Sequence, residues 1–158
     1  MQLEGSCHCG GVRFSLASRT PTPYMRCYCS ICRKTAGGGG YAINIMGEAG
    51  SLKIEGEENI AVYQAKMPGG KTSPAGRSFC KQCGSALWLS DPRWPDGVWP
   101  LASAVDTDLP IPPEQVNMML AHAPAWTGAP DSDGNTNFAE YPELSIEDWH
   151  KNQRLLVD

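Results

Sequence analysis

Apolar and polar residues alternate with a period of two through several parts of this chain. Val12-Arg13-Phe14-Ser15-Leu16 and Ser51-Leu52-Lys53-Ile54-Glu55 carry the pattern, and Ile60-Ala61-Val62-Tyr63 and Ala86-Leu87-Trp88-Leu89 carry it more loosely. Successive side chains of a strand point to opposite faces, so each run predicts a strand buried on one side. Residues 41–46, 98–105 and 115–120 read as further strands. Turns are expected at Gly47-Glu48-Ala49-Gly50, Pro68-Gly69-Gly70 and Asp106-Thr107-Asp108, where breaker residues interrupt the alternation. With 17 glycines and 13 prolines between short strands, the chain is expected to be mainly β and chiefly antiparallel. One helix is predicted near the end. Ser145 can cap it, Asp148 stands at the capping-box position, and Ile146 and Trp149 share a face. Segment 129–137 is polar and holds Gly and Pro, so it reads as a surface loop.

A length of 158 residues suffices for one domain with a sizeable core, and no composition shift marks a second, so a single domain over 1–158 is expected. The net charge is −4 and the 13 Lys and Arg residues are scattered, which leaves no basic face for nucleic acid or an anionic membrane. Met1-Gln2-Leu3-Glu4 opens no leader pattern, and no stretch approaches the roughly eighteen apolar residues of a membrane span. A cytoplasmic protein without nucleic-acid or membrane partners is the expectation. That compartment keeps thiols reduced.

The seven cysteines all stand at metal-ligand spacings: Cys7-x-Cys9, Cys27-x-Cys29-x-x-Cys32 and Cys80-x-x-Cys83-Gly84. An odd total is no complete disulfide framework within one chain. If Cys7 and Cys9 lie on a strand, both sulfurs face one side and His8 faces the other. The Cys80–Cys83 pair reads as a zinc knuckle, and joining it to Cys7 and Cys9 would close a four-thiolate structural site. Cys27, Cys29 and Cys32 then remain as three ligands with no fourth cysteine. Three thiolates on Zn²⁺ carry a formal −1, which Arg26, Arg33 and Lys34 could partly offset, and the vacant corner could take water or a substrate thiolate. Closure of this site by His8, His122, His150 or an acidic residue is the structural alternative. An iron–sulfur centre fits the split arrangement less well, and a thioredoxin-like pair would be expected beside a βαβ pattern.

Other residues change the picture less. Gly37-Gly38-Gly39-Gly40 lacks the Lys-Ser/Thr and following helix of a phosphate loop, so it is expected to be a pliable turn near the second metal site. Most of the five tryptophans are expected in the core, with Trp126 the candidate for ligand contact. Arg26, Arg33 and Lys34 are candidates for binding substrate carboxylates. His122 is a candidate acid or base.

These motifs resemble the glutathione-dependent formaldehyde-activating enzyme (Gfa) family, which shares its domain with centromere protein V. The resemblance rests on Gly5-x-Cys7-x-Cys9-Gly10-x-Val12-x-Phe14, on Cys27-x-Cys29-Ser30-x-Cys32-Arg33-Lys34 with the glycine run, and on Phe79-Cys80-x-x-Cys83-Gly84-Ser85-x-Leu87. It covers roughly the first ninety residues, with an echo at Trp126 and at Tyr141-Pro142-Glu143. It implies a β-tent of antiparallel sheets, a structural zinc on Cys7, Cys9, Cys80 and Cys83, and a catalytic zinc on Cys27, Cys29 and Cys32. It further implies addition of glutathione to formaldehyde, a carbon–sulfur lyase reaction run in reverse. Where many relatives carry a histidine, this chain has Asn117, with His122 five residues later. A thiol-binding zinc module and a zinc-stabilised interaction domain are the other function classes to be separated from an enzyme.

Overall fold

A computed structural model describes residues 1–128 and 134–158. The strands in chain order are β1 (Gln2–Ser6), β2 (Arg13–Ala17), β3 (Met25–Cys27), β4 (Ala42–Ile43), β5 (Gly47–Glu48) and β6 (Lys53–Glu55). They continue as β7 (Ile60–Lys66), β8 (Thr72–Cys80), β9 (Ala86–Ser90), β10 (Gly97–Pro100), β11 (Gln115–Met118) and β12 (Asn135–Asn137). The described residues also form two short α-helices, α1 (Ser30–Ala36) and α2 (Ile146–Asn152), and several 3-10 turns. Among the described residues, no helix is long and apolar enough to cross a membrane.

The strands form three sheets, in the orders β1-β2-β6, β5-β10-β9-β8-β7 and β12-β11-β3-β4. The first follows directly from the alternation. Leu3 pairs with Leu16 and Gly5 with Phe14, and the apolar members turn inward while Glu4 and Arg13 stay outside. Leu3, Val12, Phe14 and Leu16 meet Ala42, Ile45, Leu87, Trp88, Val98 and Leu101 in the principal core. The Phe14 and Trp88 rings pack edge to face with centroids 5.3 Å apart. Each large apolar side chain so enclosed contributes roughly 1.5–3 kcal/mol. Gly5 is where β1 comes closest to its neighbours, since a Cβ there would lie 2.2 Å from the Phe14 ring and 2.4 Å from the Ala104 carbonyl oxygen.

A second, smaller core joins α2 to the third sheet. Tyr24 and Trp149 stack with centroids 3.5 Å apart, next to Val116. Ser145 Oγ accepts from the Asp148 amide at 3.0 Å, which is the N-cap that the sequence predicts. His150 is fully buried here. Its Nε2 accepts from the Thr22 amide at 3.1 Å, and its Nδ1 lies 2.8 Å from the Ile146 carbonyl oxygen.

The mainly β architecture and the short C-terminal helix agree with expectation, whereas several details do not. β11 runs parallel to both β3 and β12, so the third sheet is mixed. Alternation sets the faces of a strand but carries no information on the direction of a partner far away in sequence. Of residues 41–46 only Ala42–Ile43 pair as a strand, while Asn44 and Met46 make isolated bridges to Leu101 and Thr20. The strand expected over 98–105 ends at Pro100, followed by a 3-10 turn over Ala102–Ala104. That expected over 115–120 ends at Met118, because Met119 has φ 62° and turns the chain into another 3-10 segment. Gly47 and Glu48 pair with β10, so the turn expected over Gly47–Gly50 begins one strand later, at Ala49. Of the expected loop 129–137, residues 129–133 lie outside the described residues. Asn135–Asn137 form β12 rather than loop.

Candidate functional site

Two cysteine clusters lie at the ends of strands. Cys7 follows β1 and Cys9 sits in the turn beyond it, which corrects the expectation that both lie on a strand. The turn is closed by Cys7 N–H donating to Val12 O at 3.0 Å and Gly10 N–H donating to Cys7 O at 2.9 Å. A matching turn follows β8, with Cys80 N–H donating to Ser85 O at 2.9 Å and Gly84 N–H donating to Cys80 O at 2.8 Å. Gly10 and Gly84 have φ of 73° and 76°, the left-handed conformation in which a side chain is strained. Asn59 ties the two turns together. Its side-chain amide donates to Gly11 O at 2.9 Å, its carbonyl oxygen accepts from Lys81 N–H at 2.9 Å, and its Oδ1 accepts from the Gln82 side chain.

The sulfurs of Cys7, Cys9, Cys80 and Cys83 all lie within 4.8 Å of one another. Cys7 and Cys9 are 3.5 Å apart and Cys9 and Cys80 are 3.8 Å apart. A tetrahedral ion with metal–sulfur bonds of about 2.3 Å needs sulfurs about 3.8 Å apart, so the donor set fits zinc. Amides are in place for thiolates, with Val12 N–H donating to Cys7 Sγ at 3.2 Å. The Ser85 hydroxyl, ahead of the Ser85 amide, lowers the Cys83 thiol to about 5. For Cys9 the Gly11 amide works downward, but the Cys7 and Cys83 sulfurs push the thiol up to about 12. Crowded sulfurs cannot all ionise by themselves, and a divalent cation removes that competition.

The second cluster brings Cys27, Cys29 and Cys32 together, again with sulfurs within 4.8 Å. Cys27 ends β3, between Ala42 of β4 and Met118 of β11. Cys29 is the N-cap of α1, and its sulfur accepts from the Cys32 amide at 3.3 Å. A thiol thus occupies the capping position usually held by Ser, Thr, Asp or Asn, which is why the sequence does not announce α1. Hydrogen bonds from Cys27 and then Cys32 hold the Cys29 thiol down at about 2, while Cys29, Cys32 and burial push Cys27 well above its ordinary value. This group also fits a thiophilic dication, with three ligands and, among the described residues, no fourth Cys, His, Asp or Glu in it.

The histidines lie elsewhere. His122 is exposed and its Nε2 is 3.4 Å from a Glu140 carboxylate oxygen. His150 belongs to the second core, and the His8 amide donates to Ser85 Oγ beside the first cluster at 3.1 Å. Asn117 is fully buried in β11, where it donates to Asn137 Oδ1 at 2.9 Å and its Oδ1 lies 3.4 Å from the Tyr28 hydroxyl. Its position is therefore in the mixed sheet's core.

The expected substrate-contact residues border the glycine turn. The Arg26 guanidinium lies over the Tyr41 ring, 4.9 Å from its centroid. Trp126 is 69% exposed and its ring would be 3.2 Å from a Cβ on Gly40. Arg33 lies in α1, half-buried, whereas Lys34 is exposed. The Nε atoms of Arg26 and Arg33 are buried without hydrogen-bond partners among the described residues.

Two features escaped sequence reading. A cavity of about 320 Å³ separates α1 from the five-stranded sheet, with Cys32, Thr35, Asn44, Tyr63, Arg77 and Trp88 in its walls. A wider cleft of about 690 Å³ is lined by Met25, Arg93, Trp94, Trp99, Met118 and Tyr141. Desolvation, followed by charge on Cys27, Cys29 and Cys32, raises the Tyr141 hydroxyl above its ordinary value. The one available signal for Arg77 was its place in Arg77-Ser78-Phe79-Cys80, a run leading into the second knuckle.

A β framework carrying one four-thiol and one three-thiol cluster, each able to hold a metal ion, defines a protein with two candidate metal-thiolate sites. The sequence profile of "Glutathione-dependent formaldehyde-activating enzyme" matches residues 2–119, and the chain belongs to that family. A Halomonas elongata protein named "Putative glutathione-dependent formaldehyde-activating enzyme" is 56% identical over 150 residues, covering 95% of each chain. In three dimensions the fold is similar to the crystal structure of a Rhodobacter sphaeroides protein, with TM-score 0.54 and 21% identity. That match covers 85% of this chain and 98% of the other.

Proposed function

We propose that this protein is a zinc-dependent carbon–sulfur lyase that, in the condensing direction, joins glutathione and formaldehyde as S-(hydroxymethyl)glutathione. The single observation that carries the reading is the three-thiol cluster, which has no fourth ligand among the described residues, in a chain of this family. Cys27, Cys29 and Cys32 would hold the catalytic zinc, and Cys7, Cys9, Cys80 and Cys83 a structural one. When bound, the catalytic metal supplies stabilisation of a substrate thiolate at neutral pH. In the reaction the carbon–sulfur bond forms, the carbonyl π bond breaks, and the thiol proton ends on the new hydroxyl oxygen.

The protein's own residues bind and orient. Arg26, Arg33 and Trp126 are assigned to the peptide part of glutathione, since Arg26 and Trp126 flank one turn and present a cation and an aromatic face. Holding the two reactants together replaces a bimolecular encounter by a positioned one. The Cys32 amide donating to the Cys29 sulfur and the end of β3 at Cys27 help to fix the cluster's geometry. Exchange NMR on equilibrated glutathione and formaldehyde tests the reading, with zinc-loaded protein, metal-stripped protein and Cys29→Ser side by side. Acceleration only with zinc and Cys29 is expected. Glutathione binding with no acceleration in any sample would remove the lyase reading and leave a thiol-binding module.

A further inference from the structure

The cavity of about 320 Å³ between α1 and the five-stranded sheet is not needed to hold either metal. Its size sits at the lower end of small-molecule pockets, roughly 300–1,000 Å³. Its walls are mostly apolar, from Ala36, Ala42, Phe79, Trp88, Leu89 and Leu101. Cys32 of the three-thiol cluster lines one side and Arg77 of β8 lines another. Among the described residues Arg77 is the one charged side chain in the lining, and its buried Nη1 has no hydrogen-bond partner there. The carboxylate whose charge Arg77 feels is that of Asp91, and both of its oxygens accept from Arg93 at 2.6–3.2 Å. A lone guanidinium in a mostly apolar lining, with one donor nitrogen closed off from solvent and unpartnered, calls for an acceptor from outside the chain.

The charge balance narrows the ligand. One guanidinium matches one planar monoanion, ideally a carboxylate, whereas a phosphate dianion would leave a charge uncompensated in apolar surroundings. Glutathione has two carboxylates. The γ-glutamyl one sits beside an ammonium group, for which this lining offers no acidic partner. The glycyl one stands alone. We propose that the cavity receives the glycyl carboxylate of glutathione on Arg77, which fixes the peptide beside Cys32. The proposal rests on the glutathione reading above. Arg77 is a binding and positioning residue in it. Thr35 and Asn44 in the same walls stand within the space that the glycyl amide would enter.

The bland role for Arg77 is to offset charge on the thiolate cluster, since its charge also acts on Cys32. Calorimetric titration of S-methylglutathione and of its glycyl ethyl ester separates the two roles, because the blocked sulfur takes no part in chemistry. Zinc-loaded wild type should bind the acid about tenfold more tightly than the ester. In Arg77→Gln that preference should vanish, and Arg77→Lys should restore part of it. Equal binding of acid and ester by wild type would overturn the proposal, and so would an equal loss for both ligands in Arg77→Gln. Should Arg77→Gln fail to fold, Arg77→Lys decides, because a preference there as large as in wild type would overturn the proposal. Exchange NMR on the same wild-type sample keeps the two readings apart. Absent exchange with an intact acid preference removes the lyase reaction and leaves the subsite, while exchange without the preference does the reverse.

Discussion

Acidification should unseat α2 through one buried imidazole. His150 is fully buried, with Nε2 accepting from the Thr22 amide and Nδ1 facing the Ile146 carbonyl, so the folded chain needs the neutral tautomer protonated at Nδ1. Adding a proton at Nε2 would set two N–H groups against each other 3.1 Å apart. Desolvation therefore lowers the folded pKa below the ordinary 6.5, although the bond to Ile146 works the other way. The sign is then determined. Above about pH 6.5 neither state binds the proton and His150 gives no pH dependence. Below it the unfolded chain binds a proton that the folded chain refuses, so stability falls by up to about 1.4 kcal/mol per pH unit until the folded pKa is reached. At about pH 5.5 the loss has a ceiling of about 1.4 kcal/mol. Urea unfolding at about pH 7.5 and 5.5, with excess zinc, would be compared between wild type and His150→Gln. Subtracting the variant cancels pH effects at the cysteine clusters. Parallel pH profiles for the two proteins would refute the argument.

Other perturbations test other links of the chain. Gly5→Ala should destabilise by about 1–3 kcal/mol, because its Cβ meets the Phe14 ring and the Ala104 carbonyl oxygen; an unchanged urea midpoint would contradict the β1 packing. Trp149→Ala should cost about 3–5 kcal/mol, through loss of the Tyr24 stack and of the 2.8 Å hydrogen bond to Glu114. Calorimetric melting reads it, and a loss below about 1 kcal/mol would show that the second core contributes little. Cys80→Ser should lower both the melting temperature and the bound zinc, by roughly one equivalent, whereas Cys32→Ser should lose roughly one equivalent with much less effect on melting. Equal melting temperatures for the two variants would undo the division into structural and catalytic clusters.

Much of this molecule can be read from side-chain order alone. Val12 to Leu16 announces β2 because every second residue enters the core, and Ser145 announces α2 because its hydroxyl replaces a missing backbone partner. The cysteine grouping is equally legible, since each pair spacing already restricts where the sulfurs can lie. What stays hidden depends on partners distant in sequence. The parallel pairing of β11 with β3 and β12 leaves no local mark, and Asn135-Thr136-Asn137 has no apolar alternation to suggest a strand. Its pairing is instead supported by the buried Asn117 side chain, which reaches Asn137. Helix α1 is hidden for a chemical reason, as its cap is a thiol. Asn59, which joins the two knuckles, and Arg77, which enters a cavity walled by α1, acquire their roles only after the sheets close.

The most direct test of the central claim is the visible spectrum of cobalt-substituted protein as glutathione is added. Cobalt reports the number of sulfur ligands, and the account predicts a rise in thiolate-to-metal absorption in wild type as a substrate sulfur joins Cys27, Cys29 and Cys32. Cys29→Ser, with its four-thiol cluster still loaded, should show no such rise, and S-methylglutathione should produce none in wild type. A wild-type spectrum that glutathione leaves unchanged would contradict the claim that this cluster is the open, substrate-binding site.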